Sequence, residues 1–310
     1  MNPKVKLILY LLSFVITICI TADIVFSRYF TKTNPVSESN KIYRLAEQTF
    51  VDEIPIFGTS RAEKGYFCDA INEQCYNYGF PNQSFDITAL LLQFELAKNK
   101  TTPILIDVHH DFFQHDAKVN INLNTYLPFV NSNAAVTTFL QENNRLKPYH
   151  YLPGTRYFGA YTTYMEPIFE NKFGIGRALY SKGSVLDTKK GSTAAIQKRI
   201  NTRLDKKLSF EVIAEKDSML RSLIQLHPNR KFVFIVSPYH WSAKSTVANF
   251  DSMLQYFSEL EASFPNVAFI YFNTDNYSDT YFKDTVHLNE DGAKVFSAEL
   301  HNQLKDKGIL

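Results

Sequence analysis

Charge of one sign is what this sequence lacks most plainly. Its 33 Lys and Arg residues face 31 Asp and Glu, a net of +2 over 310 residues. So even a balance excludes the electrostatic footprint of a nucleic-acid binder or of a protein built for a strongly acidic partner. Cysteine is scarce. Of the three, Cys19 falls inside an apolar run and reads as merely buried there, which leaves Cys68 and Cys75 as one possible pair. Tryptophan occurs once, at Trp241. What abounds is Phe (26) and Tyr (18), with 45% hydrophobic residues, the composition of a folded chain rather than a disordered one. The length suits one large domain or two small ones.

A long apolar run occurs at the amino end. Lys4 and Lys6 precede sixteen uncharged residues, Leu7 to Ala22, and Ile24, Val25 and Phe26 carry the run past Asp23. That reaches about the 20 residues a bilayer span needs. Residues 1–28 are therefore expected to be a transmembrane anchor or a signal peptide. Ile20-Thr21-Ala22 is a passable cleavage site, but the run exceeds the roughly 7 to 15 residues of a signal core. The positive flank stays in the cytoplasm, which puts the remaining chain in the periplasm or on the outer side of the cytoplasmic membrane. Residues 29–50 read as a polar linker, with Asn34-Pro35, and a helical approach. In an exported chain Cys68 and Cys75, flanking a turn at Asp69 to Gln74, can form a disulfide. Two unlinked thiols are the plainer alternative.

Beyond residue 51 the pattern is strand, helix, strand. Ile54-Pro55-Ile56-Phe57 is a short apolar run stopped by Gly58-Thr59-Ser60, a buried strand ending in a turn that carries a hydroxyl. At the carboxyl end of a parallel strand such a side chain is lifted to the sheet edge, beside backbone N–H groups able to hold an oxyanion. An amphipathic helix over Asp86 to Lys98, with Ile87, Leu90, Leu91 and Phe94 at spacings of three and four, leads to the strand Ile104-Leu105-Ile106. Strands follow at Phe232 to Pro238 and Val267 to Phe272, with helices through Val212, Leu220, Leu223 and Ile224, near Val247 to Phe264, and over Glu290 to Leu304. This order predicts a parallel sheet with right-handed crossovers. Before the last helix stands Asp284-Thr285-Val286-His287-Leu288-Asn289-Glu290-Asp291-Gly292, where an acid three residues before a histidine allows one turn to bring both beside Ser60.

Gly-Thr-Ser-Arg after the first strand, Asn77-Tyr78-Gly79 after the second and the late Asp-x-x-His-Leu-Asn-x-x-Gly together resemble the SGNH/GDSL hydrolase superfamily. The resemblance implies a three-layer α/β/α sandwich with a mostly parallel, flavodoxin-like sheet over residues 51–310. It gives Ser60, Asp284 and His287 the roles of nucleophile, orienting acid and general base, and Ser60 and Gly79 those of oxyanion-hole donors. Membrane-anchored relatives with this serine block are similar to proteins that acylate cell-envelope polysaccharides together with a polytopic membrane acyltransferase. That likeness implies a serine esterase or O-acyltransferase whose substrate is an acylated glycan or small acyl ester, with no cofactor. The alternative is an impaired member of the fold with a binding or assembly role.

The pattern departs from the family at the third block, where Asp107-Val108-His109-His110-Asp111 replaces the expected Gly-x-Asn-Asp. A neutral imidazole offers one N–H, so His109 is expected as the substitute donor, with His110, Arg61, Asn82, Tyr239 and His240 as substrate contacts. Tyr239, His240 and Trp241 can equally cap the core. The run from His109 to Asp116, with His115, has zinc-like ligand types, but adjacent histidines on an extended segment point to opposite faces, and no metal is expected. From about 117 to 200 an insertion carries Tyr149, Tyr151, Tyr157, Phe158, Tyr161, Tyr164, Phe169 and Phe173. It reads either as a lid or sugar platform or as ordinary aromatic packing. Lys189, Lys190, Lys198, Arg199, Arg203, Lys206 and Lys207 make a solvated helix face or a polyanion patch.

Overall fold

The computed structural model describes residues 1–33, 37–114, 121–158, 178–188, 190–191, 193–204, 208–274 and 277–310. Asn34, Pro35, His115, Asp116, Tyr161, Tyr164, Phe169, Phe173, Lys189, Lys206, Lys207 and the side chains of Arg199 and Arg203 lie outside the described residues. The chain divides into two compact units, Met1–Glu47 with Ile121–Gly176, and Gln48–Asn120 with Arg177–Leu310.

In the first unit a helix over Pro3–Arg28 is long and apolar enough to cross a membrane. It continues into a π-helical turn at Tyr29–Thr33, so the start of the expected linker is helical. Asp23, the charge that interrupts the apolar run, is buried and paired: Arg156 Nε lies 2.8 Å from its Oδ2, and the Gly154 N–H donates to the same oxygen at 3.0 Å. Helices Glu38–Glu47 and Ala134–Glu142 bury Ile42, Leu45, Val136 and Leu140. Of the insertion's described aromatics Tyr157 is buried, whereas Tyr149 and Phe158 are exposed.

The second unit is built on a five-stranded parallel sheet. Its strands are β1 (Ile54–Phe57), β2 (Cys75–Asn77), β3 (Ile104–Asp107), β6 (Phe232–Val236) and β7 (Val267–Tyr271), in the order β2-β1-β3-β6-β7. A separate antiparallel hairpin joins β4 (Ala178–Ser181) to β5 (Ser184–Asp187). Alternation along each strand sorts the core into two faces. Ile54, Ile56, Leu105, Val233, Ile235 and Ile270 meet Phe296, Leu300 and Leu304 of the helix Glu290–Asp306. The opposite face is aromatic: Phe234 and Phe269 pack on Phe257 with ring centroids 5.3 and 5.8 Å apart, and Phe112, Phe113, Phe85 and Phe210 extend the stack. The α/β sandwich expected from the alternation of elements is thus the observed one.

The chain reverses direction of travel across the sheet between β1 and β3, and in such folds ligands bind outside the carboxyl ends of the strands at that crevice. Cys68 and Cys75 are joined as a disulfide, Cα to Cα 5.1 Å, bracing the segment between the Ser60 turn and β2.

A cluster of cations surrounds the fully buried Glu95. It meets Lys100 at 2.8 Å, Arg230 at 2.9 Å and Lys98 at 3.1 Å. Burial alone would push the Glu95 carboxyl up, but the three cations outweigh it and hold it below the ordinary range. A depressed folded-state pKa contributes stability that is present above the unfolded-state value, about 4.3 for glutamate, and is lost as pH falls through the folded value. The gap in melting temperature between the wild type and Glu95→Gln is therefore expected to be wide at pH 7 and to close below about pH 4. A gap independent of pH would assign the cluster no electrostatic part.

Candidate active site

Gly58 makes the turn out of β1 possible. Its φ is +147°, and a Cβ there would stand 2.8 Å from Ala62 Cβ and 2.9 Å from Asp107 Cβ, so only glycine lets the helix Ser60–Gly65 start so close to β3. Thr59 caps that helix, its hydroxyl accepting the Arg61 N–H at 3.3 Å. A threonine thus performs the capping that a carboxylate would perform in a Gly-Asp-Ser turn. Ser60 is the first helical residue, where a backbone N–H has no acceptor within the helix.

The second half of the site is a closed loop. Phe282 and Leu288 pair as an antiparallel bridge, and the Lys283 N–H donates to His287 O at 2.9 Å. Inside it Asp284 Oδ1 accepts the N–H groups of Val286 (3.0 Å) and His287 (3.1 Å), a side-chain turn of the kind aspartate favours. Asn289 then caps the last helix by accepting the Gly292 N–H at 3.0 Å and ties back to Thr280 O at 2.7 Å.

These two pieces meet. His287 Nδ1 lies 2.9 and 3.0 Å from the two oxygens of Asp284, and Nε2 lies 2.8 Å from Ser60 Oγ. The carboxylate accepts the Nδ1 hydrogen bond, which leaves Nε2 to accept from the serine hydroxyl. Asp284 is buried, while Ser60 and His287 remain partly exposed. This places a serine hydroxyl within hydrogen-bond reach of an imidazole that a carboxylate orients, at the carboxyl edge of a parallel sheet.

No family model matches the chain, and no curated protein matches it. Among solved structures it is similar to a Streptococcus pneumonia protein provisionally described as a platelet activating factor, at 11% identity over 93% of this chain and 98% of that one, with a TM-score of 0.42. A likeness at that score decides nothing about function. The fold rests on the observed sheet order, and the site on the distances above.

The residues expected around the triad are placed differently. Arg61 is buried, 6% exposed. Its guanidinium donates to Val286 O at 3.1 Å, to Ser237 O at 2.7 Å and to Ser237 Oγ at 2.6 Å, lies 3.5 Å from Asp107 Oδ2, and stacks 3.8 Å from the centre of the Tyr239 ring. It is a strut joining the serine helix to β3, to the end of β6 and to the His287 loop. Tyr239 and His110 are buried under it, with the His110 N–H donating to the Tyr239 hydroxyl at 3.3 Å. His240 is buried too. It caps the helix Trp241–Lys244 by accepting the Ser242 N–H at 3.3 Å, and its Nε2 lies 3.0 Å from Asp279 Oδ1. Arg61, His110, Tyr239 and His240, expected as substrate contacts, are thus buried and bonded within the protein. Asn82 stays at the surface, in a left-handed turn with φ 56°.

Two of the groups expected as oxyanion donors have partners within the chain. The Gly79 N–H donates to Asn77 Oδ1 at 2.8 Å, and Asn77 Nδ2 in turn donates to Ala62 O at 2.7 Å. His109 Nδ1 is paired with Asp111 Oδ1. Sequence reasoning missed Asn77, Asp107 and Ser237 as supports. For Arg61, which Asp107 and Ser237 hold, position carried a signal: the residue after Ser60 on a helix points about 100° away from it. Asp107 has a further tie, since the Tyr66 hydroxyl donates to its Oδ1 at 2.9 Å. Burial and that carboxylate push the Tyr66 phenol well above its usual range, so it stays a donor.

Proposed function

We propose that this protein is a membrane-anchored serine acyl hydrolase or O-acyltransferase acting outside the cytoplasm on ester groups of a cell-envelope glycan. The observation that carries the catalytic part is the Ser60, His287, Asp284 chain of contacts at 2.8 and 2.9 Å. His287 takes the Ser60 proton as the hydroxyl attacks an acyl carbonyl, and Asp284 stabilises the imidazolium. The tetrahedral oxyanion faces the Ser60 N–H at the helix start. Collapse expels the alcohol, which takes its proton from His287, and leaves an acyl-serine. Water or a sugar hydroxyl, deprotonated by the same histidine, then accepts the acyl group.

The apolar helix Pro3–Arg28 with Lys4 and Lys6 on its amino side supports anchoring with the catalytic unit exported, and the Cys68–Cys75 bridge suits an oxidising compartment. The glycan and a polytopic membrane acyltransferase partner rest on the resemblance alone. Alkaline phosphatase fused at the carboxyl end is expected to be active and β-galactosidase inactive. The reverse would sink the localisation. Cells with Ser60→Ala are expected to show an altered acyl-ester content of their envelope glycan, and an unchanged profile would remove the glycan.

One observation favours a second reading, a fold member retained for binding or assembly. Two of the expected oxyanion donors, Gly79 N–H and His109 Nδ1, are engaged with Asn77 and Asp111.

A further inference from the structure

We propose that His109, His110 and Asp111 form a binding site for a zinc-class divalent ion. An extended chain would send adjacent histidines to opposite faces, but the chain leaves β3 and turns from His110 to Gln114. That turn brings one donor atom of each residue to within 4.8 Å of the others. Asp111 Oδ1 stands between the rings: His109 Nδ1 pairs with it, and His110 Nε2 lies 3.9 Å away.

Three further features make this more than a hydrogen-bonded turn. The histidine side chains are only 5% and 6% exposed while that of Asp111 is 28% exposed, so the site is walled by protein yet reached from solvent on the carboxylate side. The ring of His110 is held from behind, its Nδ1 lying 3.4 Å from the Tyr239 hydroxyl, which points Nε2 at Asp111. An outer partner on the far ring nitrogen is the usual companion of a metal-binding histidine. Tyr239 is itself fixed under Arg61, 3.8 Å from the ring centre, and Arg61 has its own counter-charge in Asp107 at 3.5 Å. Two imidazoles and one carboxylate suit zinc and its neighbours, whereas calcium and magnesium take oxygen ligands. Three protein ligands leave at least one position open to water.

The test uses the full chain, solubilised with its anchor, free of any histidine tag and dialysed against a chelator, titrated with zinc chloride in a calorimeter. One zinc ion per chain is expected to bind. Asp111→Asn, a change at the partly exposed ligand, and His110→Ala should each weaken binding by at least about 10-fold, and Tyr239→Phe by about 10-fold through the outer contact. Calcium should not compete. Melting curves of each variant without zinc establish that it is folded. Absence of saturable zinc binding in the wild type would overturn the proposal. So would one-to-one binding unchanged in folded Asp111→Asn and His110→Ala, which would put the ion elsewhere.

Discussion

Ser60→Ala and His287→Ala are each expected to lower ester turnover by about a million-fold, and the double variant to be little worse than either. The reason is geometric. Ser60 Oγ is 2.8 Å from His287 Nε2, so in the proposed mechanism neither group drives the carbonyl attack without the other. Asp284→Asn should cost less, about 10,000-fold, because the acid orients the ring and stabilises its charge without moving the proton itself. An amide there offers the wrong partner to the Nδ1 proton yet keeps an oxygen for the N–H groups of Val286 and His287, which the carboxylate now binds at 3.0 and 3.1 Å. Turnover of p-nitrophenyl acetate by purified variants measures all three. Multiplying losses in the double variant would mean that Ser60 and His287 do not act as one unit.

Arg61→Ala is expected to destabilise the catalytic unit by about 3 to 5 kcal/mol, the cost of leaving a buried charge without its partner. Here the abandoned group is Asp107, which is fully buried and faces Arg61 at 3.5 Å. The ring of Tyr239 loses its cation and Val286 O loses a donor at 3.1 Å. Arg61→Lys should recover little of this, since one ammonium cannot reach Val286, Ser237 and Tyr239 in the flat fork that guanidinium offers. Pairing Arg61→Met with Asp107→Leu should restore part of the stability by removing both charges. Urea unfolding of the variants gives the numbers. A loss below about 1 kcal/mol for Arg61→Ala would place the strut among exposed ion pairs, which contribute little.

The triad and its strut differ in how far the sequence discloses them. The contact of Ser60, His287 and Asp284 was legible because its signals are local: a hydroxyl in a strand-ending turn, and an acid three residues before a histidine, each announce themselves in a few positions. The sheet was legible for the same reason, since short apolar runs such as Phe232–Val236 and Val267–Tyr271 alternate with helices of clear periodicity. Arg61, His110, Tyr239 and His240 were not. Each is a polar or aromatic residue next to a site residue, and only the tertiary packing decides whether it faces the cleft or the core. The wall behind Ser60 and His287 is held by Asp107 and Ser237, whose side chains have no pattern of their own until β3 lies beside β1 and β6 beside β3. Val212 marks a smaller limit. It fits the apolar spacing of the helix that follows but lies before its start at Ala214, exposed, because periodicity does not fix helix ends. The engagement of Gly79 with Asn77 was hidden in the same way, as it depends on the side chain two residues earlier folding back on its own turn.

The central claim is that Ser60 is a nucleophile made reactive by His287. A fluorophosphonate probe reacts with such a serine and spares an ordinary one. The purified, folded chain is predicted to take up one probe molecule, with mass spectrometry locating it on the peptide containing Ser60, and His287→Ala should abolish the labelling without unfolding the protein. An unlabelled Ser60 in the folded wild type, or labelling that persists without His287, would contradict the account.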